Sequence, residues 1–371
     1  MRTHSDELEA VLLTGSFSTR LIVDAFAGPD RTITDLGAAG WDLRWDREGD
    51  LKSAGTLAVV HMTDEGTTVV PSEVTDPLAP FGQEVNILME ISAGDFSETV
   101  QIGYYRLGAG DGASDEYADV GDRRVVTSSS LRLQLEDRLS AVKRRGFRSE
   151  ENPASTSGWD ELARITGLQV VRSLADITLS EEFVYAAVKG GRLAAVRTIA
   201  FLIGGTEYTT PDGALSVLPA TPGDVVGRLV LGEDGTIDGE DLGMDSSEVF
   251  NVVVGDFETV DRIPIHVVSE ATGDLAPGGL YSENTYYHSN SAITTEAAAE
   301  IEVAAVLAQM SETKARRITV QCVLNPLVEL GDVLEVERRD GSLLTAQVVK
   351  YRYGTSSLMT LEMDVIDSGL E

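Results

Sequence analysis

Between Ile318 and Ile366 the side chains alternate in the manner of paired β-strands. Ile318, Val320, Cys322 and Leu324 are interleaved with Thr319, Gln321 and Val323. After turns at Asn325-Pro326 and Leu330-Gly331-Asp332, Val333 to Arg338 alternates again, with Leu334 and Val336 on one side and Glu335 and Glu337 on the other. Asp340-Gly341 is a two-residue hairpin signal, because a type I′ turn needs positive φ at both central positions. Leu344 to Tyr353 returns, and Leu358 to Ile366 pairs once more, with Met359, Leu361, Met363 and Val365 on one face. An apolar face with period 2 commits four successive strands to a sheet that must cover something.

Part of this stretch occurs a second time. Phe81-Gly82-Gln83 precedes a strand from Val85 to Ile91; a Gly/Asp turn follows, and the return strand from Val100 ends Tyr105-Arg106-Leu107-Gly108. The C-terminal counterpart starts at Leu330-Gly331-Asp332 and ends Tyr351-Arg352-Tyr353-Gly354. Gly82 to Tyr105 is 23 positions and Gly331 to Tyr351 is 20. The expectation is that residues 82–108 and 331–354 form equivalent hairpins of a duplicated unit. Chance is the competing explanation, since any two hairpins share a glycine turn and often an aromatic residue.

At 371 residues the chain exceeds what one core usually serves, so several domains are expected. An apolar content of 42% with 36 glycines fits a folded, turn-rich protein. No stretch approaches the ~18 apolar residues of a membrane span. The N-terminal Met1-Arg2-Thr3-His4 lacks the basic and apolar regions of a signal peptide, so neither a leader nor a membrane anchor is expected. Sixty-one Asp and Glu against 29 Lys and Arg give a net charge of −32. Phosphate neutralisation needs clustered cations, so nucleic-acid binding of that kind is excluded. Two explanations of the charge remain: a self-repelling soluble surface, including adaptation to high salt, or a surface that nucleic acid passes without sticking.

Along the chain, residues 1–13 predict a short helix with Leu8, Val11 and Leu12 at helical spacing. Strands follow at Leu21–Ala25, Trp41–Trp45 and Leu57–Met62, and Thr63 to Phe81 with three prolines reads as a loop. Gly108 to Gly121 reads as a Gly/Asp-rich connector and Val125 to Leu131 as a strand. Leu131, Leu135, Leu139 and Val142 predict an amphipathic helix over Leu131–Arg145. Phe147 to Ser157 reads as a polar linker and domain boundary. Beyond it come a helix capped by Ser157 and stopped by Gly167, a short strand Leu168–Val171, a helix Gly191–Ile203 and a hairpin through Pro211-Asp212-Gly213. Thr221 to Ser247 reads as an acidic solvated loop, Val249–Val254 and Ile263–Val268 as strands, and Tyr281 to His288 as a polar loop. Thr294 or Thr295 caps a helix Glu296–Gln309, with either Ile301, Ala305 and Ala308 or Val303, Val306 and Leu307 facing a core. Its small and apolar residues predict cover on more than one side, and it is the expected cover of the C-terminal sheet.

A catalytic constellation is not legible, and no catalytic, cofactor-binding or metal-ligating residue is assigned. G-x-S-x-G, H-E-x-x-H, CxxC and the phosphate-binding loop are all missing. His4, His61, His266 and His288 are scattered, and a metal needs convergent ligands. The acidic run Gly232-Glu233-Asp234-Gly235 to Asp241 lacks the alternation of a calcium loop. The single cysteine, Cys322, sits in an alternating strand as a small buried residue and excludes an intrachain disulfide. Tyr281, Tyr286, Tyr287 and His288 offer a sugar platform or, more commonly, loop packing. Lys143-Arg144-Arg145 with Arg148 is the basic cluster, either a solvated helix end or a contact to an acidic neighbour.

The order of pieces in the C-terminal half is specific. Gly158-Trp159-Asp160-Glu161-Leu162-Ala163 and Ala194-Ala195-Val196-Arg197-Thr198-Ile199-Ala200 lie on a helix pair. Thr206-Glu207-Tyr208-Thr209-Thr210-Pro211-Asp212-Gly213 makes a hairpin, and Phe250-Asn251-Val252-Val253-Val254-Gly255 follows. Ser291-Ala292-Ile293-Thr294-Thr295-Glu296-Ala297 opens the Ala-rich helix, and Asn325-Pro326-Leu327-Val328-Glu329-Leu330-Gly331-Asp332 leads into the last hairpin. In this order residues 155–371 resemble the tail hub, or baseplate hub, proteins of long-tailed phages, while the first 150 residues fit by general pattern. The resemblance implies a multidomain β-rich α+β fold with two similar antiparallel β-barrel hub domains, at 1–150 and 241–371, and a small α/β domain at 151–240 between them. It also implies a structural virion protein without cofactor: a homotrimer at the tail tip, contacting a distal tail or tube-end ring protein, the tape-measure protein and tail-tip or receptor-binding proteins. DNA would pass through its acidic channel without specific binding. A carbohydrate-binding module and a cell-wall-degrading enzyme are the alternatives.

Overall fold

The computed structural model describes residues 1–62, 68–180, 183–232, 235–243, 249–259, 261–290, 293–311 and 316–367. Glu233, Asp234, Ser291 and Ala292, named above, lie outside the described residues, as do the first residues of the Thr63–Phe81 loop and the end of the acidic run from Met244.

The N-terminal part runs α1 (Asp6–Thr14), β1 (Ser18–Ala27), β2 (Asp30–Ile33), β3 (Ala38–Asp46), β4 (Ser53–Met62), β5 (Glu84–Ala93), β6 (Phe96–Val120), β7 (Arg123–Asp137) and α2 (Ser140–Arg144). The Ser5 hydroxyl caps α1 by accepting the Leu8 N–H at 3.1 Å, and Leu8 and Leu12 enter the core. Antiparallel pairing orders the strands β2-β1-β5-β6-β7-β4-β3.

Two expectations fail here for one reason. The Gly108–Gly121 connector is strand, a continuation of β6, and the helix over Leu131–Arg145 is strand as far as Asp137. Leu131, Leu133 and Leu135 are all buried, a period of 2 that the i, i+4 count overlooked. β7 is flanked by β4 and β6 along this length, so sheet hydrogen bonds on both edges displace the helix. Three register shifts between β6 and β7 absorb the Gly- and Asp-rich residues as bulges.

The middle of the chain holds α3 (Gly158–Thr166), α4 (Gly191–Ile203), β8 (Gly205–Thr209) and β9 (Leu215–Pro219). Ser157 caps α3 through the Asp160 N–H at 3.2 Å, and Gly167 ends it at φ 73°. Trp159, Leu162, Ile165, Leu193, Val196 and Ile199 share a separate core with Leu215 and Val217. The expected strand at Leu168–Val171 reduces to one bridge, Val170 to Leu215. Phe147, read as linker, is buried and stacks on Tyr185 at 4.9 Å.

The last part comprises β10 (Val225–Leu229), β11 (Ile237–Gly243), β12 (Val252–Glu258), β13 (Pro264–Glu270), β14 (Thr285–His288), α5 (Glu296–Ser311), β15 (Arg317–Val323), β16 (Val333–Glu337), β17 (Leu343–Gly354) and β18 (Leu358–Asp367). The four C-terminal strands stand where the alternation places them. The acidic stretch read as a solvated loop supplies β10, parallel to β16, and β11, antiparallel to β15, because the C-terminal sheet has free edges to fill. Tyr286, Tyr287 and His288 form β14 and not a loop, paired parallel to β12.

α5 does not cover the C-terminal sheet. It packs on the separate sheet β13-β12-β14, with Val303, Val306 and Leu307 against Val253, Phe257 and Ile265. Gly255 permits that approach: a Cβ there would stand 2.4 Å from Val303 Cγ2. The helix is covered on one side, and Ile301 on the outer face is 73% exposed.

Among the described residues one 13-stranded sheet joins the two β-rich parts, following β11-β15-β18-β17-β3-β4-β7-β6-β5-β1-β2 with β16 and β10 branching from β17. The architecture is β-rich α+β, and its ladders do not close into a barrel. The join is the pairing of β17 with β3, Tyr351 to Trp45 and Tyr353 to Leu43. Both expected hairpins exist, but in different registers. Tyr105 lies opposite Val85 at the start of β5, whereas Val333 of β16 lies opposite Gln347, and Tyr351 runs past β16 to meet Trp45 and Leu361.

At the join β3 is approached closely from both sides. A Cβ on Gly354 would stand 2.7 Å from Trp41 O, and one on Gly55 2.6 Å from Asp42 O. Both contacts are with backbone, which cannot swing aside. Gly354→Ala should therefore lower unfolding free energy by ~1–3 kcal/mol, measured by denaturant titration, while alanine at Gly121, in the open turn between β6 and β7, reports only its local positive-φ strain.

Candidate functional site

The residues whose chemistry the sequence raised do not converge. His266 pairs with Asp256 at 2.7 Å on an exposed sheet face, His288 with buried Glu302 at 2.6 Å, and His4 Nδ1 lies 2.7 Å from Arg2 O. Among the described residues no group of three His, Cys, Asp or Glu side chains is placed to hold a metal ion. Cys322 is buried, and burial pushes its thiol up to about 12, far from a nucleophile's range. The four aromatics do not make a platform. The Tyr281 hydroxyl donates to Val249 O at 2.5 Å, Tyr286 packs on the core under α5, and Tyr287 on β14 is exposed. The basic cluster is largely consumed within the chain: Lys143 pairs with Asp50, Arg144 with Glu136 at 2.6 Å, and Arg145 donates to Thr166 O at the end of α3 at 3.1 Å.

The densest polar arrangement lies beneath the β17–β3 join. Arg2 is buried and donates to Pro326 O, to Val328 O at 3.2 Å and to the Tyr351 hydroxyl at 3.1 Å. Its guanidinium sits 5.9 Å from the Trp45 ring, and Trp45 stacks on Tyr351 at 4.4 Å. Burial disfavours the cation, but the Tyr351 and Tyr353 hydroxyls and Glu329 outweigh it and hold the Arg2 pKa above its usual value. Burial likewise raises Glu329. Tyr105, Tyr351 and Tyr353 all bury their rings here, so the tyrosines of the apparent repeat meet in one place although their registers differ. A space of about 20 Å³ is enclosed by Arg2, Trp45, Tyr105, Asp137, Tyr208 and Tyr351, room for one water and not for a substrate. No residue of this cluster except Tyr105, Tyr351 and Tyr353 was legible as special, because Arg2 stands in an unpatterned N-terminal segment.

A second polar joint attaches the α3–α4 unit. Asp137 is fully buried and accepts from Leu139 N–H at 2.8 Å and from the Ser53 and Thr209 hydroxyls at 3.0 Å; burial raises its pKa. Glu207, also buried, receives Arg197 Nε at 3.0 Å. Asp50 is bound by Lys143 and by Arg197 at 2.6 Å, and these hydrogen bonds pull it down to about 2. Beside this joint an open cleft of about 550 Å³ runs between Arg197 and Glu207, the β14 end at His288, and Gln347 and Asp364 of the main sheet. Along its walls Lys52 and Arg197 pair with Glu207 and His288 with Glu302, while Arg47 donates to Gln347 Oε1 and Pro219 O at 2.8 Å each.

Arg2→Ala leaves three buried acceptors without a donor and should cost about 3 kcal/mol of stability, read as a lowered Tm with a blue-shifted Trp fluorescence lost at lower denaturant. The Asp50 carboxylate, with a folded pKa below its unfolded 3.8, adds stability above that pH and loses it as pH falls through about 2. Because Asp50 is half exposed, Asp50→Asn should cost only roughly 0.5 kcal/mol at pH 7, less in high salt, with the difference from the parent shrinking toward pH 2 and vanishing below it.

No protein-family profile and no curated protein matches this sequence. Solved structures do. A tail protein from Neisseria meningitidis aligns over 93% of this chain and 96% of its own at 13% identity and a TM-score of 0.63. The 43 kDa tail protein of prophage MuSo2 from Shewanella oneidensis covers 94% and 100% at 11% identity and 0.54. The prophage tail protein gp18 from Listeria monocytogenes covers 94% and 94% at 9% identity and 0.50. The chain has the fold of phage tail proteins, the class that the order of its C-terminal pieces resembles.

Proposed function

We propose that this protein is a structural component of a phage tail, the hub at the tail tip. The observation that carries the reading is the match of the fold over nearly the whole length of both chains to tail proteins. The chemistry agrees: the densest polar clusters are buried joints between parts of the chain, which suit a rigid scaffold. In this reading three copies close a ring, and the two β-rich parts of each, at 1–150 and 241–371 with the α/β part at 151–240 between them, serve as paired units facing a six-fold tube. Neighbours are a tube-end ring protein, the tape-measure protein and receptor-binding proteins. The net charge of −32 repels phosphates, so DNA leaves through the ring without binding its wall.

The test is light scattering and negative-stain imaging of purified chain, together with immunogold labelling of tails. A three-fold ring with a central hole and label at the tail tip is the expected result. A compact monomer absent from tails overturns it. Release of sugars from cell-wall polymer, abolished by changing one or two carboxylates, would move the assignment to a wall-degrading enzyme.

A further inference from the structure

The apparent repeat treats one apolar residue differently in its two copies. Phe81-Gly82 and Leu330-Gly331 each precede the first strand of a hairpin, and both glycines have positive φ, 127° and 85°. Leu330 is 6% exposed; Leu218 of β9 reaches within 3.5 Å of the Cβ position of Gly331, so the α3–α4 unit covers this corner. Phe81 is 68% exposed, and no part of the described chain covers it.

Phe81 is nevertheless held firmly. The Gln83 side chain is buried; its Oε1 accepts the Phe81 N–H at 3.0 Å, and its Nε2 donates to Val74 O at 2.9 Å and Asp76 O at 3.1 Å. Asp76 accepts from Ser72 N–H at 2.6 Å and Glu73 N–H at 2.8 Å, and Leu78 and Ala79 are buried at the loop base. Pro71, Pro77 and Pro80 stiffen the rest. One buried amide thus ties together the backbones of Phe81 and Val74, whose side chains are 68% and 57% exposed. A loop this ordered has already lost the entropy that binding would otherwise cost it, which is the property of a docking anchor.

Charge says what it docks into. In the described part of the loop, from Thr68 to Glu84, the sequence holds Glu73, Asp76 and Glu84 and no Lys or Arg. Arg106, whose Nη2 lies 3.8 Å from the Cβ position of Gly82, is the cation that comes near, and Glu84 is paired with Arg138. Many of the chain's own cations are spent in internal pairs, as at Arg138, Arg164 and Arg197, so the cationic counterpart of Glu73 and Asp76 comes from a different protein. We infer that Phe81 and Val74 form a preorganised apolar anchor that enters a pocket with a cationic rim on a different protein of the tail, doing in trans what the α3–α4 unit does in cis at Leu330. This rests on the tail reading above.

The experiment places a benzophenone-bearing phenylalanine analogue at position 81 in assembled, purified tails and irradiates them. Expected is one adduct joining this chain to a different tail protein. Its yield should fall about tenfold with Val74→Ser or Gln83→Ala and fall with Glu73→Arg or added salt, while Phe81→Ser leaves the Tm of the isolated chain unchanged. An adduct to a second copy, or no adduct in tails that contain the chain, overturns the inference and leaves the tail reading standing. Tails that contain none of this chain overturn both.

Discussion

The pairing of β17 with β3 is the contact on which the rest of this molecule depends. Its partners lie 304 to 312 residues apart in sequence, from Lys350 with Asp46 to Gly354 with Asp42, and through it two β-rich parts become one sheet with one core. Its side chains explain why it forms in one register. Trp45 stacks on Tyr351, Arg2 closes the underside, and Gly55 and Gly354 let β3 approach its neighbours. On the edges, Arg352 pairs with Asp42, and Lys350 and Arg317 share Glu48 at 3.2 and 3.1 Å. Individually such exposed pairs contribute little, but a slip by one residue would turn every aromatic ring to the other face.

The charge of the chain takes on a different meaning once the pairs are located. Many of its cations are used at joints: Arg197 and Lys143 on Asp50, Arg138 on Glu84, Arg164 on Glu161 and Glu151. What remains for the outside is an excess of carboxylates. Under the tail-hub proposal, a rigid, acidic scaffold whose cations are spent internally would suit a wall that polyphosphate must pass, and would leave contacts with other proteins to apolar anchors and to the partners' own cations.

Two smaller bodies are attached to this sheet by contrasting means. The α3–α4 unit is fixed by buried ionic and hydrogen-bonded groups around Asp137 and Glu207. The β13-β12-β14 sheet with α5 has a separate small core, reaching the α4 unit through Phe201. Buried polar joints specify one geometry, because any displacement strands a charge without a partner.

The sequence by itself determined the C-terminal strands, the Ser157 cap and Gly167 stop of α3 and the burial of Cys322, because each follows from local periodicity or from local backbone capping. It also carried the order of pieces that resembles the tail hubs. Sequence failed at Leu131–Asp137, where leucine spacing suits a helix and a strand alike and the flanking β4 and β6 decide, and at β10, β11 and β14, short polar strands formed because a sheet edge stood free. Only the tertiary structure could place α5 on its own sheet, bring Arg2 under Trp45, and leave Phe81 bare where Leu330 is covered. Those outcomes depend on contacts between segments that are not neighbours in the chain, and local pattern holds no information about which distant surface will arrive.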